Sequence, residues 1–434
     1  GDEEGDASHI DTFLKIHARE FPVDAVFICD TGMWDIDTPA ITTSLRGLCY
    51  LEATLTGPSH DLHSGMYGGA LRAHSPVELA LPVARSLVPE GLRPAVGQVV
   101  LGQMLPAGGG MNVARQLGLR LGLREEMTGF TVNMACASGL KAVLLAADRL
   151  ASGAGDLALA GGVESMSRAP HYAPDVRWGK KLGDSVLVDA LAADGLSDPV
   201  LGLAMGETAE RVAAHLGISR EEQDRHALAS HRRAVAARAE MAREIVSVPG
   251  AEGELAADEA PRADTSVEKL ARLQPVFRPD GTVTAGNAST LADGAALVLL
   301  ASEESLARHG LKPRARIVGA AEVGCDPATM GLGPVPAVRR LLAETGWPLE
   351  TVDHIEINEA FSAQVVGCAR ELALDPARLN ARGGAVALGH PLGASGARVL
   401  VTLLHTLEDR GARRGIAALC VGGGMGVAIA VERV

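Results

Sequence analysis

One segment of this chain returns, in altered form, near its end. Ala137-Ser138-Gly139 opens a helical apolar pattern through Leu140, Val143, Leu144, Ala147 and Leu150; a turn at Gly153 and a strand-like run Leu157 to Ala160 follow, ending at Gly161-Gly162. Ala394-Ser395-Gly396 repeats that plan with Val399, Leu400, Leu403 and Leu407, a turn at Gly411, and Ile416 to Leu419 running into Gly422-Gly423-Gly424. Two similar strand-helix-strand halves imply a duplication about a pseudo-twofold axis, near which loops from both halves can meet. The predicted fold is α/β, with two duplicated halves and an inserted segment between them. That segment, about 165–284, is richer in charge, and its one long helical stretch, Ser219 to Ile245, starts with the capping pair Ser219 and Glu222.

Composition narrows the partners. With 47% hydrophobic and 21% charged residues the chain can build a large core, and 51 glycines with 3% aromatics suit close backbone packing. A net charge of −13 opposes binding to nucleic acid or anionic membranes, so an anionic ligand needs a local basic cluster. The longest uncharged stretch, Ile416 to Val431, falls short of the roughly 20 apolar residues of a membrane span. Six scattered cysteines argue against a disulfide framework or a cysteine zinc site and suit a reducing cytoplasm. The opening Gly1-Asp2-Glu3-Glu4 has no basic segment leading into an apolar run, so no secretory signal is expected there.

Cys136 follows the strand-like Phe130 to Asn133 and precedes a predicted helix, where the helix dipole and free N–H groups favour a thiolate. An inert buried cysteine is about as good a reading of that context alone. His390, in Gly389-His390-Pro391 before the echoed Ala-Ser-Gly, sits on the equivalent loop and could accept the Cys136 proton across the axis. Cys420 ends the last apolar strand before a glycine-rich turn; it suits a base acting on a carbon beside a thioester, and equally a structural cysteine. Asn358 falls at another strand end, where it could hold a water aimed at a carbonyl oxygen.

Six motifs in order resemble the thiolases over about 68–434: Phe130 to Lys141 around Cys136, Gly161 to Ser167, Thr284 to Ser289, Asn358-Glu359-Ala360-Phe361, Gly389-His390-Pro391, and Cys420 to Gly426. The resemblance implies an αβαβα layered fold, halves at 68–300 and 301–434, and acyl transfer between coenzyme A thioesters in fatty-acid metabolism. It implies that Cys136 forms an acyl-enzyme, His390 deprotonates it, Cys420 exchanges the second proton, and Asn358 and the N–H groups of Cys136 and Gly422 stabilise oxyanions. Coenzyme A contacts are implied at Leu196, Met205, Arg262, Phe277, Ala288, Ser289, Ala360 and Phe361, with Arg262 facing a phosphate. No metal or redox cofactor is implied, and a homodimer or homotetramer is expected. Ala204 and Arg211 flank Met205 to Glu210 in a way more similar to broad-specificity 3-ketoacyl-CoA thiolases than to short-chain ones, which leaves chain length open. A decarboxylating ketoacyl synthase shares the fold, but that family carries His where Cys420 stands.

Residues 1–67 differ. Gly1 to Glu4, Ile28 to Trp34 and Gly57 to Gly69 resemble metal-dependent dipeptidases, which would make Glu3 a general base, Glu4 and Asp30 ligands and His63 a substrate contact. The remaining ligands of such a two-metal site have no match, so a dipeptidase is a remote alternative. The usual thiolase opening is missing, so a catalytically impaired thiolase-like protein is a second alternative. The missing strand is expected to be central in the first sheet, with Leu48 to Leu55 filling its slot.

Overall fold

The apolar runs of the echo form strands buried on both faces. The structure, a computed structural model, describes residues 74–250 and 253–434. The expectations for Glu3, Glu4, Asp30, His63, Leu48 to Leu55 and the boundary near Gly68 lie outside those residues.

The first main sheet has the order β4-β3-β1-β2, from β1 (Gln98–Gly102), β2 (Thr128–Val132), β3 (Leu157–Ser165) and β4 (Asp293–Ala301). The second has the order β5-β8-β7-β6, from β5 (Ala315–Gly324), β6 (His354–Ile357), β7 (Arg414–Val421) and β8 (Met425–Arg433). The first contains two parallel pairs (β1 with β2 and with β3) and the antiparallel pair of β4 with β3; the second contains one parallel pair (β6 with β7) and the antiparallel pairs of β8 with β7 and with β5. The duplication is therefore structural as well as sequential.

The expected gap at the centre of the first sheet is absent: β1 pairs directly with β3 in register from Gln98↔Ala158 to Gly102↔Gly162. The second half explains why. Its opening strand, β5, pairs antiparallel with β8 at the sheet edge, so the corresponding position in the first half is the edge beside β4.

Two helices lie between the sheets: α3 (Ser138–Ala151) and α9 (Leu392–Asp409). Leu140, Val143, Leu403 and Leu407 from these helices pack with Ala158 and Ala160 of one sheet and Ala417 and Leu419 of the other, all essentially inaccessible. Burying each such leucine contributes about 1.5–3 kcal/mol. Outside the first sheet lie α1 (Pro76–Leu87) and α2 (Val113–Leu121); outside the second lie α6 (Pro334–Thr345) and α7 (Ser362–Glu371). The five layers are those of the expected αβαβα fold.

Glycine sets the approach of the central helices. A Cβ on Gly139 would lie 2.8 Å from the Gly393 carbonyl oxygen, one on Gly396 would lie 2.4 Å from Leu140 N, and one on Gly162 would lie 1.9 Å from Gly393 O. The two Ala-Ser-Gly echoes thus meet at the pseudo-axis. Strand β3 runs on through Gly161-Gly162 to Ser165 rather than ending at the glycines, because the missing Cβ atoms are what admit α9.

The inserted segment carries α4 (Met205–Leu216) and α5 (Arg220–Ala236). Ser219 and Glu222 form the expected capping box. The long helix breaks at Ala237, earlier than its apolar pattern predicts; Ala234, Ala237 and Met241 then pack onto Ala387 and Leu388 of the short helix α8 (Ala385–Leu388). Among the described residues no helix is long and apolar enough to cross a membrane.

Candidate active site

Cys136 stands at a tight elbow between β2 and α3. Ala135 before it adopts φ 45°, a left-handed conformation that costs a non-glycine residue roughly 1–2 kcal/mol. Local hydrogen bonds hold the strain: Ala135 N–H donates to Asn133 Oδ1 at 2.9 Å, Met134 N–H to Ser138 Oγ at 2.8 Å, and the Ser138 hydroxyl to Ala135 O at 2.6 Å.

The N–H groups of Gly422 and of Cys136 itself are oriented to favour a charged Cys136 sulfur. Leu105, Met166, Leu191 and Leu392 form a small apolar cluster against it, with Leu196 at its margin. The helix-start argument predicts a favoured thiolate, and here the structure differs. Desolvation outweighs the two N–H donors and, with the negative charge of Glu164, pushes the thiol up to about 11. The resting group is a protonated thiol that requires a base.

His390 is buried and held at both ring nitrogens. The Ser395 hydroxyl donates to Pro391 O at 2.9 Å, which leaves its oxygen to accept from Nδ1–H at 2.6 Å. That assignment leaves Nε2 as the lone-pair nitrogen, facing Asn358 Nδ2 at 3.3 Å. Burial and then Arg398 hold the imidazole down to about 3, so it is neutral at physiological pH. Ser138 and Ser395 occupy equivalent places in the two echoes, and each ties the loop before its helix.

Asn358 follows β6, fully buried, and its Oδ1 has no protein partner among the described residues. A buried acceptor left so costs about 1–3 kcal/mol, and a donor from a water or a ligand would relieve it. Asn380, itself left-handed at φ 46°, grips the preceding residue: its Oδ1 accepts from Ile357 N–H at 2.8 Å and its Nδ2 donates to Ile357 O at 2.8 Å. The fully buried Glu359 accepts from Asn380 Nδ2 (2.9 Å), Ser230 Oγ (2.6 Å) and Val386 N–H (3.3 Å), and pairs with His226 Nε2 (3.1 Å). Burial alone would raise its carboxyl, but these partners hold it at about 2. Through Glu359 the inserted helix α5 anchors the Asn358 loop.

Cys420 is buried beside Met330 and Ala360, with Met205 and Phe361 against the cluster. Burial, and then the charge of Cys136, push its thiol up strongly. Several expected coenzyme A residues surround this cluster: Phe277 meets Phe361 edge to face at 6.3 Å, Ser289 N–H donates to Ala360 O at 3.0 Å, Ala288 bridges to Phe361, and Met205 N–H donates to Leu196 O at 2.9 Å. Arg262 is exposed, and its N–H donates to His231 Nδ1 at 3.2 Å rather than to this group. Among the described residues no cluster of His, Cys, Asp or Glu could hold a metal ion.

Two family models cover the chain: the thiolase N-terminal domain over residues 62–304 and the thiolase C-terminal domain over 311–433. The chain belongs to the thiolase family. It is an acyltransferase. An acetyl-CoA acetyltransferase of Chromobacterium violaceum is 49% identical over 378 residues, covering 85% of this chain and 96% of the relative, and a probable acetyl-CoA acetyltransferase of Escherichia coli is 48% identical over 377 residues with the same coverage. Among solved structures, an acetyl-CoA acetyltransferase of Bacillus anthracis superposes with a TM-score of 0.82 at 43% identity, covering 85% of this chain and 96% of the other. The human mitochondrial 3-ketoacyl-CoA thiolase in complex with CoA gives 0.82 at 40% identity, covering 85% and 95%.

The sequence reading gives roles to Cys136, His390, Cys420, Asn358 and Gly422, but none to the groups that hold them: Asn133, Ser138, Glu164 and Glu359, which lie inside the quoted motifs, and Ser395, Asn380 and His226, which lie outside them. Of these, Ser138 and Ser395 were detectable as the invariant middle of the repeated Ala-Ser-Gly.

Proposed function

We propose that the chain exchanges acyl groups between coenzyme A and acyl-CoA by a double-displacement route, in which Cys136 carries the acyl group. His390 Nε2 takes the thiol proton as Sγ attacks the thioester carbonyl. The carbonyl oxygen becomes an oxyanion between the N–H groups of Cys136 and Gly422. Collapse expels coenzyme A, which leaves with the proton of Cys420 and so turns that thiol into the thiolate base of the next step. In condensation Cys420 then removes an α-proton from acetyl-CoA, the carbanion attacks the acyl-cysteine, and the released Cys136 thiolate takes its proton back from His390. In thiolysis the same steps run backwards, with Cys420 taking the proton of free coenzyme A. Asn358 and His390 serve the second oxyanion. Support comes above all from the N–H groups of Cys136 and Gly422, which converge on one sulfur from opposite halves of the fold.

The thioester itself makes the carbonyl electrophilic and the α-proton acidic, so this route needs no metal or redox cofactor. Names of the relatives favour acetyl and 3-ketoacyl thioesters as substrates. The cysteine pattern and the charge suit a cytoplasmic enzyme of fatty-acid metabolism. Assembly into a dimer or tetramer fits the arm between the paired residues Tyr172↔Val188, which exposes Trp178 (88%) and Leu182 (92%) with Val186 and Leu187. A Trp178→Asp variant should elute from a sizing column as a smaller species; an unchanged elution volume refutes that role.

The deciding experiment is thiolysis of 3-ketoacyl-CoA substrates of increasing chain length by the purified full chain and its Cys136→Ser variant. Turnover by the wild type, abolished in the variant, is expected. Full activity in the variant refutes the assignment, and no turnover at any length by a folded wild type favours the impaired thiolase-like alternative.

A further inference from the structure

Glu164 is fully buried, lies at the end of β3, and plays no part in the steps above. Its carboxylate accepts three backbone N–H groups from two separate parts of the chain. Met104 N–H donates to Oε2 at 2.9 Å and Leu105 N–H to Oε1 at 3.1 Å, both from the loop after β1. Gly393 N–H donates to Oε2 at 2.8 Å, from the first turn of α9, three residues beyond His390.

These contacts join the loop after β1 to the start of α9, which follows directly on the His390 loop. Leu105 belongs to the apolar cluster against which Cys136 packs, and so does Leu392, the neighbour of Gly393. Gly393 is also the counterpart of Cys136 in the repeated sequence, each standing just before Ala-Ser-Gly. The Gly422 N–H of the second half is oriented toward Cys136, while Gly393 donates to Glu164 of the first, so the halves meet on both sides of the axis. The fit is tight: a Cβ on Gly393 would lie 2.7 Å from Gln103 Cα and 2.8 Å from Glu164 Oε2.

We propose that Glu164 is a positioning residue for acyl transfer, its carboxylate fixing the Cys136-packing loop of the first half against the start of α9, next to the His390 loop of the second. The proposal rests on the reading of Cys136 and His390 as nucleophile and base. A neutral side chain of the same shape offers one acceptor where three donors converge, and a shorter acid cannot span both segments. Glu164 also sets the local field: its negative charge opposes ionisation of Cys136, while the other titratable groups acting on this pair are Asp293, facing Glu164, and Cys420, facing Cys136.

Two variants of the full chain, Glu164→Gln and Glu164→Asp, separate reach from charge. Both should lose about 100-fold in kcat, as expected for a displacement of around 1 Å between reacting groups, with KM for coenzyme A within a few-fold of wild type. The rate of Cys136 alkylation by iodoacetamide against pH provides a readout that a merely structural role would not move. It should shift to lower pH in Glu164→Gln, which lacks the opposing charge, and remain in place in Glu164→Asp. Wild-type kcat in either variant overturns the proposal, as does an unmoved alkylation profile in folded Glu164→Gln. Should Glu164→Gln not fold, the kcat of Glu164→Asp alone decides. Failure of iodoacetamide to label Cys136 and inactivate the wild type would instead count against the nucleophile assignment.

Discussion

Replacing Glu359 by Gln tests how firmly the inserted segment holds the catalytic loop. The carboxylate is fully buried and bonded to His226, Ser230, Asn380 and Val386. Its folded value of about 2 lies well below the ordinary glutamate value of about 4.3, so ionisation in the fold contributes on the order of 3 kcal/mol at neutral pH. Because the folded value is depressed, this stability is present above about pH 4.3 and is lost as pH falls through about 2. Gln keeps the shape but turns an –NH2 toward donors, approximating loss of the charge. Urea unfolding of wild type and Glu359→Gln should differ by about 3 kcal/mol at pH 7, and by about half as much or less at pH 3. A difference near zero at pH 7, or one that does not change between pH 7 and pH 3, would refute the reasoning.

His390 shifts stability in the same sense, over a higher pH window. Held at about 3 in the fold against about 6.5 unfolded, it should cost the wild type about 2 kcal/mol of stability on going from pH 8 to pH 5, a slope that His390→Gln removes; equal slopes in urea unfolding would contradict this. Ser395→Ala deletes the acceptor that fixes the His390 tautomer, so kcat for thiolysis should fall about 10- to 100-fold while stability changes by about 1 kcal/mol; an unchanged kcat would show that the Nδ1 contact is dispensable.

Much of the site was legible because thiolase chemistry is concentrated in short contiguous motifs at strand ends. Cys136, Asn358 and Cys420 each sit where a strand-like run stops, and the Ala-Ser-Gly echo predicts Cys136 and His390 on equivalent loops, with His390 following the short helix α8. Three things were not legible. The Cys136 thiol is raised, not lowered, because enclosure by Leu105, Leu191 and their neighbours outweighs two N–H donors, a balance that depends on packing distant in sequence. The supporting partners are equally remote: Glu164 meets a residue 229 positions away, and Glu359 meets Ser230 across 129. The position of the opening strand was misjudged because strand order is a property of the sheet, visible only once β5 is seen beside β8 rather than between β6 and β7.

The acyl-cysteine is the centre of this account, and it can be observed directly. Wild-type protein incubated with acetyl-CoA without a second substrate, quenched in acid and digested, should yield one acetyl group on the peptide containing Cys136, and that group should disappear when free coenzyme A is added before the quench. An enzyme that turns over while the acetyl group is found on Cys420, or on no residue at all, would contradict it.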